Sequence, residues 1–550
     1  MKYTLLIFFL FSSILGMAQG QAKTPSENVV ITSKKGKTQL QTNENGELHL
    51  NVSPKDVRKF KTKGLVRYSD FGARGDGKTD DIDAIAAAHA FANQHSLSVK
   101  ADDGATYYIS GKNRTAVIRT DTDFGKAAFI IDDTNVQNRN AHVFLVSSGL
   151  QSFKLEGVSA LKRNQEKIDV TLPGTCIVTV TNSNVKRYIR FGPNQNNGSS
   201  QTDIFIVDKN GKVDMDAPII WDFDQITDIT ALPIDDTKLT ITGGRFTTIA
   251  NQAESKYTYY SRGIAIRRSN VLVDGLEHRV TGEGDHGAPY GGFITVGDCS
   301  YVTVQNTILT GHKMYQTIGA AGVTVSMGTY DISLNRALNV SFVNCRQTND
   351  IDDGKYWGIM GSNFCKNLVL DNCVFSRFDA HMGVANATIR NSTLGHMGIN
   401  AIGSGTFTVE NSTIRGRTLI NLRSDYGSTW QGEFIIRNCK FVPAGGKPTS
   451  ASLIGGSYSG QHDFGYTCYM PERITIENLH IDDSKYPEDY QGSAIFGNFN
   501  PKMTDDTYVE KFPYVKTREV ILRKVTTTSG KTLRISDNPF MFKDVKVINE

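Results

Sequence analysis

The sequence predicts an all-β fold wound as a solenoid, a parallel β-helix with an N-terminal capping helix. Three features of its 550 residues lead there. A strand–corner–strand pattern recurs along the chain. Its shortest repeats are 19 and 20 residues, about one coil of a solenoid. The corner is regularly Asn or Asp followed by a small residue.

The copies are NVLVDGLEHRV from Asn270, YVTVQNTILTG from Tyr301, NVSFVNCRQTN from Asn339 and NLVLDNCVFSR from Asn367. They continue as NATIRNSTLG from Asn386, TFTVENSTIRG from Thr406, EFIIRNCKFVP from Glu433 and RITIENLHIDD from Arg473, with a looser copy from Lys238. Each alternates apolar or β-branched residues with polar ones, the mark of a half-buried strand. The starts are separated by 31, 38, 28, 19, 20, 27 and 40 residues. The longer intervals are one coil plus an insertion. A single strand pair cannot bury its apolar face, but stacked copies can. The corner Asn amide can bond its counterpart one coil away and so form a ladder.

The first residues, MKYTLLIFFLFSSILGMAQG, hold one Lys, an apolar run and small residues before a cleavage point after Ala18 or Gly20. Residues 1–20 are therefore expected to be a cleaved signal peptide, too short for a membrane span. No Cys follows the apolar run, so no lipid attachment is expected. The expected location is the periplasm or the outside. Residues 21–66 are polar with some alternation and read as a tether or added edge strand. Residues 67–550 read as one β-helix domain, with an N-terminal cap over 67–110 and less regular closing coils over 440–550.

Sixty basic residues face 56 acidic ones, and the signal segment removes only Lys2. That near balance, with no basic run, excludes a nucleic-acid binder. No membrane insertion is expected, and a monomer is. Seven Cys residues stand at 176, 299, 345, 365, 373, 439 and 468. Three share an Asn-Cys context at 345, 373 and 439, which suits a repeated buried corner better than a disulfide framework. They are expected to be free and buried.

The stretch YSDFGARGDGKTDDIDAIAAAHAFANQ, Tyr68–Gln94, resembles the opening segment of the pectate-lyase-like β-helix superfamily. The resemblance implies a right-handed solenoid whose N-terminal end is covered by a helix. It implies little about chemistry, since lyases, hydrolases, epimerases and phage tailspikes share the fold. Physically, a Gly-Asp-Gly turn leads into Thr79-Asp80-Asp81 as a helix start, followed by an Ala-rich helix. Asp76, Asp80 and Asp81 are turn and cap residues on this reading.

In the same superfamily the corner is followed by a turn and a third strand, along which ligands lie. By register those strands are 262–268, 291–298, 328–335, 356–363, 380–384, 398–404 and 418–425. The insertions before and after them gather His286, Tyr330, Lys355, Trp357, Arg377, His381 and His396, with Arg262, Arg336, Arg423 and Trp430. Such residues stack on one face within a few ~4.8 Å steps.

β-Elimination on a uronic acid needs a group to neutralise the carboxylate, a base for the C5 proton and an acid for the leaving oxygen. His381 is the candidate base and Tyr330 the candidate acid, with His396, His286 and Lys355 as rivals. Arg262, Arg336, Arg377 and Arg423 are candidate carboxylate or sulfate partners, and Trp357 and Trp430 candidate sugar platforms. The expected substrate is an anionic glycan of glycosaminoglycan, pectin or ulvan type, or its oligosaccharides. The leaving group is a sugar in a lyase or water in an oligosaccharide dehydratase.

The alternatives are a hydrolase or uronate epimerase on the same fold, or a non-catalytic glycan binder. TNDIDDG, 348–354, resembles the acidic motifs of polygalacturonase-like hydrolases, but no Gly-His-Gly or Arg-Ile-Lys accompanies it. No cofactor is expected apart from Ca²⁺, which the resemblance allows, with Asp350, Asp352 and Asp353 as its candidate ligands.

Overall fold

The computed structural model describes residues 30–33, 36–42, 48–50, 52–443 and 451–550. The signal segment at 1–20 lies outside the described residues. Thirty strands join in one parallel array wound about a single axis. Successive coils pair in register: Val340, Leu368, Ala387, Phe407, Phe434, Ile474 and Val520 lie one above another. All seven are buried. This is the core that the alternation predicts: one face of every strand points to the axis and contributes to one continuous apolar column.

The corners form the predicted ladder. Asn344 Nδ2 donates to Asn306 Oδ1 at 2.6 Å, and Asn372 donates to Asn344 at 3.3 Å. Farther on, Asn438 donates to Asn411 and Asn478 to Asn438, at 3.2 and 3.0 Å. These residues also adopt left-handed backbone, with φ of 54° at Asn344 and 52° at Asn372. Asn tolerates that conformation better than other non-glycine residues. The corner residue is thus fixed twice, by the turn it makes and by the bond it gives. A second ladder runs through Asn339, Asn367 and Asn386. All seven cysteines are free and buried.

The capping helix α2 spans Ile82–His95 and buries Ile82, Ile85, Phe91 and five of its six alanines against the first coils. Asp81 stands at its N-cap, but its carboxylate reaches back to the Arg74 and Gly75 amides. It therefore fixes the preceding turn rather than the helix. A helix that the sequence reading lacks, α1 at Pro54–Lys63, precedes it, capped by the Ser53 hydroxyl.

The largest departure from a plain solenoid lies between the strands Phe144–Ser147 and Leu239–Ile249. Here the chain leaves the helix to build a four-stranded antiparallel sheet from Phe153–Lys154, Cys176–Arg187, Ser199–Val207 and Asp228–Pro233. This insert has its own apolar centre around Leu161, Val178, Phe205 and Phe223. Ile177, Ile204 and Ile206 seat it on Leu338 of the solenoid. Met382 Sδ lies 3.8 Å from Ser199 Oγ, so the insert stands beside the third strand of the coils.

Candidate functional site

The third strands bring a polar cluster together where the insert meets the solenoid. Asn335 and Asn363 occupy the same rung position in adjacent coils, and Met382 follows in the next. His381 lies in the irregularity just before Met382, and its Nδ1 is 2.9 Å from Asn363 Oδ1. An amide oxygen only accepts, so Nδ1 carries the hydrogen and Nε2 is the basic nitrogen. Burial, reinforced by the neighbouring Arg423, pushes the His381 pKa down to about 3. The ring is neutral across the physiological range.

Tyr330 starts the strand two coils earlier and lies over Gly361, where a Cβ would come within 2.9 Å of its ring. Burial and the nearby Asp379 raise its pKa, so the phenol keeps its proton. The Trp357 indole N–H is buried without a hydrogen-bond partner.

Around this pair runs a chain of charges. Asp379, fully buried, meets Arg377 at 2.8 Å and Arg423 at 3.0 Å. Arg423 also grips Asp425 at 2.7 Å, and Arg190 from the insert reaches the same carboxylate at 2.8 Å. Burial works against charge on Asp379, but Arg377 and Arg423 outweigh it and hold the carboxyl below the usual range. Three guanidinium groups against two carboxylates leave one positive charge beside a neutral His and a neutral Tyr. Tyr426 packs edge-on to His381 at 5.6 Å and lies under both Arg190 and Arg423. Trp357 covers Arg377 at 5.1 Å. Arg377 Nε and Nη1 are buried without a hydrogen-bond partner.

Behind Tyr330 lies a second, closed network. Asp331 Oδ1 meets His278 Nδ1 at 2.8 Å and His312 Nε2 at 3.2 Å, and His312 Nδ1 meets Glu283 at 3.3 Å. His278, His312 and Asp331 are all buried. Burial opposes charge on His312, but its bonds to Asp331 and Glu283 outweigh burial and carry its pKa up to about 9. The folded value lies above the ordinary 6.5, so this stabilisation is complete below pH 6.5 and lost as pH rises through 9. Thermal or urea melts between pH 7 and 9.5 should show a loss on the order of 2 kcal/mol. A His312→Asn protein should lack that alkaline limb.

No protein-family model matches the sequence, and neither does any curated protein. Solved structures do match. The tailspike gp61 of Pseudomonas phage phi297 superposes with a TM-score of 0.52 at 13% identity, covering 84% of this chain and 80% of that one. This chain has a right-handed parallel β-helix fold. The tailspike gp49 of Pseudomonas phage LKA1 gives 0.47 at 13% identity, over 88% and 84% of the two chains. The Streptococcus pneumoniae surface adhesin PfbA gives 0.40 at 12%, over 85% and 93%. The first of these likenesses, with the strand pairing described above, establishes the β-helix architecture.

Of the residues singled out in the sequence, the β-helix brings His381, Tyr330, Arg377, Arg423 and Trp357 together. Others fall elsewhere. Trp430 is fully buried, donates to Gly405 O and packs on Phe407 and Phe434, so it is core and not a sugar platform. Arg262 is buried against Asp133 at 2.8 Å and donates to Asp132 O and Ser110 O; it ties coils together rather than facing a groove. Arg336 pairs with Asp298 at a corner. His396 Nδ1 is held by Ile351 O, while His286 and Lys355 are exposed loop residues.

Asp350 and Asp353 accept amides of their own turn, and Asp352 pairs with Arg415. Among the described residues no group of three or more His, Cys, Asp or Glu is arranged to hold a metal ion.

Three participants escaped the sequence reading. Arg190 and Tyr188, whose ring packs edge-on to Tyr426, come from the insert, hundreds of residues from their partners, and nothing local marks them. Asn363 was legible: GTYDISLN and YWGIMGSN end on Asn at the same strand position.

Proposed function

We propose that this protein is an exported carbon–oxygen lyase that cleaves uronate-containing anionic glycans or their oligosaccharides by β-elimination. The observation that carries the reading is the neutral His381, with its tautomer set by Asn363, beside a protonated Tyr330 and a surplus arginine charge. The surplus charge receives the uronate carboxylate and acidifies the C5 proton. His381 Nε2 takes that proton and Tyr330 gives one to the departing C4 oxygen. The C5–H and C4–O bonds break, a C4=C5 double bond forms, and solvent restores both side chains.

The carboxylates of the cluster favour this over hydrolysis. Paired-carboxylate hydrolysis needs one carboxylic acid that holds its proton, whereas Asp379 and Asp425 are both kept ionised by arginines.

The test is to incubate the mature protein with uronate polysaccharides and their oligosaccharides and follow absorbance at about 235 nm, where the conjugated double bond absorbs. A rise with polymer indicates a lyase. A rise confined to oligosaccharides, with loss of one water in mass, indicates a dehydratase. New reducing ends without the absorbance would overturn elimination in favour of hydrolysis.

A further inference from the structure

Beside this cluster the insert and the solenoid enclose a cavity of about 230 Å³. Its floor is built by four successive coils, at Phe364–Lys366, Gly383–Ala385, Ile402–Ser404 and the pair Thr429 and Gln431. Its roof comes from the insert, through Arg163, Arg187 and Trp221, and Tyr466 closes one side. Arg163 Nη1 reaches across to Gln431 Oε1 at 2.5 Å, so insert and solenoid share the rim. Tyr188 is a common wall: its ring meets Tyr426 of the cluster at 6.0 Å and Tyr466 of the cavity at 5.2 Å. Gly383, two residues after His381, makes room for it; a Cβ there would fall 2.1 Å from the Tyr188 hydroxyl.

The chemistry of the lining is specific. Lys366 and Asp203 form a buried pair at 2.8 Å and neutralise each other. Arg163 and Arg187 then remain as cations with no second acid in the lining. Arg187 lies over Trp221 at 4.8 Å and bonds Gln201 and Gly465 O, which fixes its charge in place. Asp463 acts on Arg187 from outside the lining. A drug-sized ligand needs roughly 300–1,000 Å³, so this volume suits one ring with its substituents. Two fixed cations, an aromatic wall and amide and hydroxyl groups match an acidic sugar better than a neutral or apolar ligand.

We propose that this cavity binds one acidic sugar unit of the glycan that the His381–Tyr330 cluster acts on, and that the insert exists to supply it. The inference rests on the glycan-lyase reading for the identity of the chain, but its test does not require turnover. The protein has three tryptophans, and only Trp221 lines the cavity.

The probes are uronate tetrasaccharides from pectin, ulvan and glycosaminoglycans, with a neutral cello-tetrasaccharide as control. Each is titrated into the His381→Gln protein while fluorescence is followed. The difference between that protein and one also carrying Trp221→Phe isolates Trp221. A saturable change in that difference with an acidic probe, and none with the neutral one, is expected. Arg163→Ala, at the exposed rim, should weaken the affinity about tenfold while leaving the circular dichroism unchanged.

Formation of the 235 nm product with a silent Trp221 overturns this inference and leaves the lyase reading intact. Equal response to the neutral probe, or an unchanged affinity in Arg163→Ala, overturns the acidic-sugar assignment. No binding of any acidic probe, together with no 235 nm product from the unmodified protein, overturns both readings.

Discussion

Replacing His381 with Gln should lower kcat by about 10²–10⁴-fold, the range that a positioned acid or base contributes, with little change in stability. Gln keeps a hydrogen-bond donor toward Asn363 but has no basic nitrogen. Tyr330→Phe should cost a similar factor, because its ring still covers Gly361 while the proton donor is gone. The pH dependence separates this role from a structural one. In the empty site, burial and the arginines hold His381 down to about 3. A bound uronate carboxylate offsets the arginine surplus and raises the proton affinity of the ring, so His381 becomes a stronger base when substrate arrives. The acid limb of kcat, which reports the complex, should therefore lie at higher pH than that of kcat/KM, which reports the free enzyme. The two limbs should coincide if His381 only packs the site. The measurement is initial rate at 235 nm against substrate concentration and pH.

The solenoid was legible because its physics is local and repeated. Alternation, an Asn corner and an inward Cys recur at one-coil spacing, and every copy confirms the same register. The grouping of His381 and Tyr330 on one side of the coils was legible for a related reason: once the register is known, residues just after a corner must lie on one face. What the register could not supply is direction. Trp430 begins its strand and Arg262 lies two residues before one, but Trp430 turns to the core and Arg262 to a buried aspartate. A shift of one residue along a strand reverses the face that a side chain takes, and bulges occur within these strands, as between Ser362 and Asn363. The insert was hidden for the opposite reason. Its strands, such as CIVTVTNSNVKR at Cys176–Arg187, alternate as the coil strands do. Antiparallel and parallel pairing of half-buried strands leave the same alternation in sequence. Arg190 and the roof of the cavity were lost with it.

Asp379 carries the largest expected effect on stability. It is the one fully buried acid between Arg377 and Arg423. Removing one partner of a buried ion pair strands the other charge, at a typical cost of about 3–5 kcal/mol. Asp379→Ala should therefore fall in that range by urea unfolding, and Asp379→Asn somewhat below it, since the amide oxygen still accepts a hydrogen bond. Activity should fall with it, because Arg377 and Arg423 lose the anchor that fixes their charge beside His381. Replacing the whole unit, as Arg377→Met, Asp379→Leu and Arg423→Met together, distinguishes the two consequences. Apolar residues of similar volume remove every stranded charge, and such replacements are often neutral or stabilising. Asp425 keeps Arg190 as its partner in that protein. The triple variant should thus recover most of the stability that Asp379→Ala loses, yet show no elimination activity. Recovery of stability without activity would mean that the buried charges are kept for chemistry. If the triple variant is as unstable as Asp379→Ala, the cluster holds the insert on the solenoid, and its charges belong to the fold.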